Sequence, residues 1–85
     1  MDYKTHGVCS SMIHLELDGD KIKDVYFVGG CNGNLQGISS LVKGMKVEDA
    51  IEKLEGIKCG SKNTSCPDQL SKAIHELLEK EAIQN

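Results

Sequence analysis

Arginine is missing from this chain, and so is tryptophan. All ten basic residues are lysines, and the formal net charge is −3. Arginine supplies the planar, bidentate grip that phosphate and base edges favour. An acidic, arginine-free domain is therefore a poor match for DNA or RNA. No lysine run suggests a membrane surface, and no stretch approaches the roughly 20 apolar residues of a transmembrane helix. Residues 1–10 also lack the apolar core of a signal peptide. The expected location is the cytoplasm, with neither nucleic acid nor membrane as a partner.

Aromatic mass is equally scarce, limited to Tyr3, Tyr26 and Phe27. With 85 residues the chain suits one domain spanning 1–85, without an internal repeat or linker. Its core must rest on Ile, Leu, Val and Met. So small a core often gains from a metal, a cross-link or oligomerisation. Four cysteines are present. In a reducing compartment such thiols point to metal binding or redox work before they point to structural staples.

The first third of the chain reads as strands. Ile13, Leu15 and Leu17 alternate with polar residues, and Ile22 to Val28 is rich in apolar and aromatic side chains. Asp18-Gly19-Asp20 between them predicts a hairpin turn. Tyr3 to Gly7 suggests a short edge strand. After the glycine-rich loop 29–34, Leu35, Ile38, Leu41 and Val42 recur at helical spacing, with Asn32 or Asn34 as cap and Gly44 as stop. Val47, Ala50, Ile51 and Leu54 predict a second, shorter helix that ends at Gly56. A last helix opens at Pro67, with Leu70, Ala73, Ile74, Leu77 and Leu78 on its apolar face. Strands first and helices after predict an α+β fold: a small antiparallel sheet of about three strands, followed by helices packed on one face.

The cysteines fall at the ends of these elements. Cys9 begins a strand, Cys31 lies between sheet and first helix, Cys59 follows the short helix, and Cys66 precedes Pro67. A residue before proline is pushed toward extended backbone, which is also the shape of an N-cap. Cys66 is thus expected to cap the last helix, where the dipole favours thiolate. Thiolate serves metal ligation and disulfide exchange alike, so both stay open. No Cys-x-x-Cys pair is present, and six residues separate Cys59 from Cys66, more than zinc knuckles use. His6 and His14 lie near Cys9 in sequence; each is expected at the surface or on a strand face rather than as a ligand. His75 is expected on a solvated helix position, and Asp68 in the first turn of the last helix without acid–base work. Gly30, Gly33 and Gly37 do not have the spacing of a dinucleotide fingerprint. No base–nucleophile pair with an orienting partner stands out, so no catalytic residue is assigned.

Two resemblances follow from these residues. Thr64-Ser65-Cys66-Pro67-Asp68 matches the signature of the TSCPD family. That domain occurs as a small stand-alone protein and near the C-terminus of adenosylcobalamin-dependent ribonucleotide reductases. Val8 to about Leu78 also resembles the NifU-type iron–sulfur cluster assembly scaffold. The likeness is carried by Cys9, the hairpin around Gly19, Gly30-Cys31, Ile38-Ser39-Ser40, Lys43 to Ala50, and Cys66. The scaffold's Gly-Asp after its first cysteine is Ser10-Ser11 here, and the His before its last cysteine is Ser65. Gly60 to Thr64 replaces the stretch read by a chaperone.

The scaffold resemblance implies that Cys9, Cys31 and Cys66 fall at the cluster or zinc ligands, and Cys59 is an extra thiol for the fourth position. The expectation is a cysteine-ligated zinc or iron–sulfur binding module, with Cys9, Cys31, Cys59 and Cys66 as ligands. A protein partner from the iron–sulfur or ribonucleotide reductase machinery goes with it. The alternative is an accessory or thiol-redox domain for ribonucleotide reductase, in which Cys59 and Cys66 exchange disulfides.

Overall fold

A computed structural model of the protein describes residues 1–30, 32–58 and 64–84, with side chains for all of these except 32 and 81–84. Three strands come first: β1 (Asp2–Lys4), β2 (Ser10–Asp18) and β3 (Lys21–Gly29). Three helices follow: α1 (Asn32–Val42), α2 (Val47–Leu54) and α3 (Cys66–Gln84). The strands form one antiparallel sheet in the order β1-β2-β3. This is the α+β arrangement expected from the element order.

The β2–β3 hairpin turns through Gly19 and Asp20, with Asp18 paired to Lys21. Gly19 has φ +61°, and no non-glycine described residue has positive φ. Positive φ at the first turn position only is the type II′ pattern, which suits the twist of a two-residue hairpin. β1 is an edge strand, shorter than and shifted from the Tyr3–Gly7 expectation. It pairs Asp2 with His14 and Lys4 with Met12, then ends as the chain turns toward α3.

One sheet face carries Ile13, Leu15, Ile22 and Val25, all at most 2 % exposed. Against it pack Val42, Val47, Ala50, Leu70, Ala73 and Ile74. The last helix buries the expected stripe, with Leu77 and Leu78 half-buried at its far end. In α1 the expected stripe is only partly used. Leu35 and Val42 are buried and Ile38 half-buried, but Leu41 is 77 % exposed. The helix is rotated so that position 41 faces away from β3. α1 opens at Asn32, so Asn34 lies inside its first turn and is not its cap.

Gly44 leaves α1 with φ +83° and donates its N–H to the Ile22 carbonyl at 2.8 Å. Ile22 N–H in turn donates to Met45, and Val47 N–H to Asp20. The α1–α2 connection therefore pairs with the start of β3 and covers an edge that would otherwise be open. Among the described residues no helix is long and apolar enough to cross a membrane.

Candidate functional site

β2 does not keep one strict alternation. Its register slips between Ser10 and Met12, which pair with Gly29 and Val28, leaving Ser11 as the extra residue of a bulge. Without that bulge the inward series 15, 13 would continue to Ser11. With it, Ser11 is exposed and Ser10 is buried. Bulges re-aim side chains in this way beside sites. Ser10 thereby points its hydroxyl at Cys66, with Oγ 3.2 Å from Sγ.

Cys66 opens α3 and is 7 % exposed. Its sulfur lies 3.8 Å from the sulfur of Cys9, which sits on the exposed approach to β2. That separation is well beyond the roughly 2.05 Å of a disulfide bond. Residues 57 positions apart in sequence are thus brought into sulfur–sulfur contact.

The helix cap is one residue earlier than the proline rule suggests. Ser65 Oγ accepts the Asp68 N–H at 3.2 Å, and the Ser65 carbonyl accepts the Gln69 N–H at 2.8 Å. Ser65 is the N-cap, Cys66 the first helical residue and Pro67 the second. The serine hydroxyl satisfies an orphan N–H that a thiol would serve poorly. Pro67 has no N–H to satisfy, so it fits the first turn in either frame. Cys66 still sits at the positive end of the helix dipole.

Asp68 organises the rest of the motif. Its carboxylate accepts the Gly56 N–H at 2.8 Å and the Thr64 hydroxyl, and Lys72 stands 3.6 Å away one turn on. Burial alone would raise this carboxyl; the Thr64 hydroxyl, the Gly56 N–H and the Lys72 ammonium outweigh it and hold the pKa below its ordinary value. Ser65 Oγ also donates to the Ile57 carbonyl at 2.7 Å. Both ends of the segment between α2 and α3 are therefore tied to the first turn of α3. The TSCPD residues divide their work: Thr64 and Asp68 clamp, Ser65 caps, Cys66 opens the helix and presents sulfur, and Pro67 fits its first turn.

Gln69 links a third segment. Its Oε1 accepts the His6 N–H at 3.0 Å, and its Nε2 donates to Thr64 Oγ1 at 3.1 Å. The loop before β2 is thus fastened to α3, which fixes Cys9 beside Cys66. Thr5 adds a hydrogen bond from its hydroxyl to the Ser10 carbonyl. Among the described residues, no buried side-chain nitrogen or oxygen lacks a partner. Such a fully satisfied polar network holds its members rigidly.

Gly30 completes the described part of the site. A Cβ there would come within 3.0 Å of Cys9 Sγ, 2.9 Å of Leu35 Cδ1 and 3.1 Å of the Ser10 nitrogen, and the residue has φ +81°. Only glycine fits both the left-handed backbone and the close approach. Gly30→Ala is expected to destabilise the fold by about 2–4 kcal/mol, read as a shifted urea midpoint. The same change at Gly33, which has no atom within 4 Å of its Cβ position, is the tolerated control.

Of the four cysteines named from the sequence, the structure brings Cys9 and Cys66 together. Cys31 and Cys59 lie outside the described residues. His6 is exposed and contributes its backbone N–H, and His75 is exposed with Nε2 3.3 Å from Glu55. His14 lies on the outer sheet face, stacked on Tyr26 at 4.8 Å between ring centroids. Sequence reasoning passed over Ser10 and Gln69. An inward Ser10 depends on a bulge, which alternation conceals. A buried glutamine one turn after a helix start has no periodic signature.

The TSCPD domain family model matches residues 1–78, and the chain belongs to that family. No curated protein and no solved structure matches it significantly. The α+β fold therefore stands on the sheet and helices described above, and the NifU-type scaffold likeness is carried by sequence pattern alone.

Proposed function

We propose that this protein is a cysteine-ligated metal-binding module, holding zinc or an iron–sulfur cluster through Cys9, Cys31, Cys59 and Cys66. The observation that carries the reading is the 3.8 Å separation of the Cys9 and Cys66 sulfurs. Two thiolates at about 2.3 Å from one tetrahedral zinc stand about 3.8 Å apart. Thiolate donors suit zinc and iron–sulfur clusters alike. Gly30 precedes Cys31 and packs against Cys9, while Ile57 and Thr64 flank the Cys59 segment and are tied to α3. The segments bearing the other two thiols thus leave from anchors at this cluster. The α3 N-terminus and the Ser10 hydroxyl would stabilise the negative sulfur.

On this reading the module works in the cytoplasm with a protein partner from the iron–sulfur or ribonucleotide reductase machinery, as the family's fusions and the scaffold pattern suggest. Protein purified without oxygen or chelator is expected to carry about one zinc per chain, or iron with sulfide and a charge-transfer band. Metal-free, colourless and well-folded protein would overturn it.

The same sulfur contact favours a second reading, thiol exchange in service of ribonucleotide reductase. The exposed Cys9, as thiolate, would attack a partner's disulfide and release one partner thiolate. Cys66 would then attack the Cys9 sulfur and displace the other, leaving a Cys9–Cys66 disulfide and a reduced partner. This reading uses Cys9 and Cys66, the two thiols in contact. It predicts reversible disulfide formation in protein that holds negligible metal.

A further inference from the structure

On the outer sheet face, away from the core, His14, Glu16 and Asp24 each offer a ligand atom within 4.8 Å of the others. We propose that these three side chains form a second metal site, for a divalent first-row ion held by one imidazole and two carboxylates. It involves no cysteine and stands independently of the thiol site.

The strand geometry sets the ligands. His14 and Glu16 are two apart on β2 and share a face, and Asp24 on β3 is the register partner of Glu16. All three ride on paired strands, which hold a site more firmly than loops do. Like charges directly opposite each other destabilise a sheet, and a cation between Glu16 and Asp24 relieves that repulsion.

The imidazole is already oriented. Asp2 Oδ1 lies 2.7 Å from His14 Nδ1. An ionised carboxylate only accepts, so Nδ1 carries the hydrogen. Nε2 is then the ligating nitrogen, and it faces Glu16 Oε1 at 3.7 Å. A carboxylate behind a ligating histidine is the usual arrangement that fixes tautomer and ring, and Tyr26 stacked on the ring at 20° fixes its plane. Donor atoms around one such ion stand about 3.0–3.5 Å apart, so modest side-chain rotation closes the set.

Lys43 is the resident competitor. Its ammonium lies 3.2 Å from Asp24 and must swing aside when the ion enters. Its side chain is half-exposed, so solvent is open to it.

The test is a Mn²⁺ titration of the full chain followed by electron paramagnetic resonance and by broadening of amide signals. Manganese suits carboxylates and avoids thiolates, which keeps the cysteine site out of the readout. Saturable binding of one ion is expected, with broadening centred on His14, Glu16 and Asp24. Affinity should fall more than about tenfold in His14→Ala and in Glu16→Gln, and rise in Lys43→Ala. Glu16→Gln keeps size and is exposed, so it retains the fold if His14→Ala does not. Non-saturating broadening spread over the acidic surface, or affinity indifferent to Glu16→Gln, would overturn the site. Unchanged affinity in Lys43→Ala would overturn Asp24 as a ligand.

Discussion

On the metal-binding proposal, Cys66→Ser is expected to lower metal affinity at least about 100-fold, beyond the 10- to 100-fold typical of losing an outer-shell partner. Cys66 is the buried half of the sulfur pair, 3.8 Å from Cys9. Serine is nearly the same size, and Ser10 Oγ at 3.2 Å from the sulfur is ready to accept or donate to the new hydroxyl. The metal-free variant should therefore lose only about 1 kcal/mol of stability. Competition with a chromophoric zinc chelator reads the affinity, and urea unfolding in excess chelator reads the fold. Cys9→Ser should match the first effect with an even smaller second one, because Cys9 is exposed. Ser10→Ala should fall between wild type and Cys66→Ser, weakening metal by up to about tenfold through loss of its hydrogen bond to sulfur. Unaltered affinity in both cysteine variants would leave the metal reading without its central pair.

The contrast between what pattern shows and what it hides is clear in particular residues. The hairpin at Gly19 was legible because a two-residue connection needs positive φ and glycine supplies it. The face of α3 was legible because Leu70, Ala73 and Ile74 repeat with the helix. Leu41 was not, because propensity sets a stripe but tertiary packing chooses how much of it is covered. The convergence of Cys9 and Cys66 followed only from their both lying at element ends. What brings the sulfurs together is a set of long-range hydrogen bonds, His6 to Gln69 above all. Such contacts have no period. The cap at Ser65 shows two local rules in competition. The proline rule pointed to Cys66, and the better hydrogen-bonding side chain one residue earlier took the role.

Asp68→Ala is expected to destabilise the protein by about 2–4 kcal/mol at neutral pH. The carboxylate is nearly buried and serves the Gly56 N–H, the Thr64 hydroxyl and Lys72. Truncation leaves at least two donors without an acceptor, and each such loss costs about 1–3 kcal/mol. Asp68→Asn should cost less, since one amide oxygen remains, but its NH₂ group meets a donor on the other side. The pH dependence separates charge from shape. The folded pKa of Asp68 is depressed, so its contribution is fully present above the unfolded value of about 3.9. That contribution is lost as pH falls through the folded pKa. Wild type should therefore lose stability through this window while Asp68→Asn, which has no such proton to gain, loses less. The gap between them should narrow from pH 7 to about pH 3. Urea midpoints measured in excess chelator keep thiolate protonation and metal release out of the comparison. A gap that stays constant with pH would assign the effect to packing. A gap that closes would assign it to the ionised clamp that ties the cysteine-bearing loop to α3.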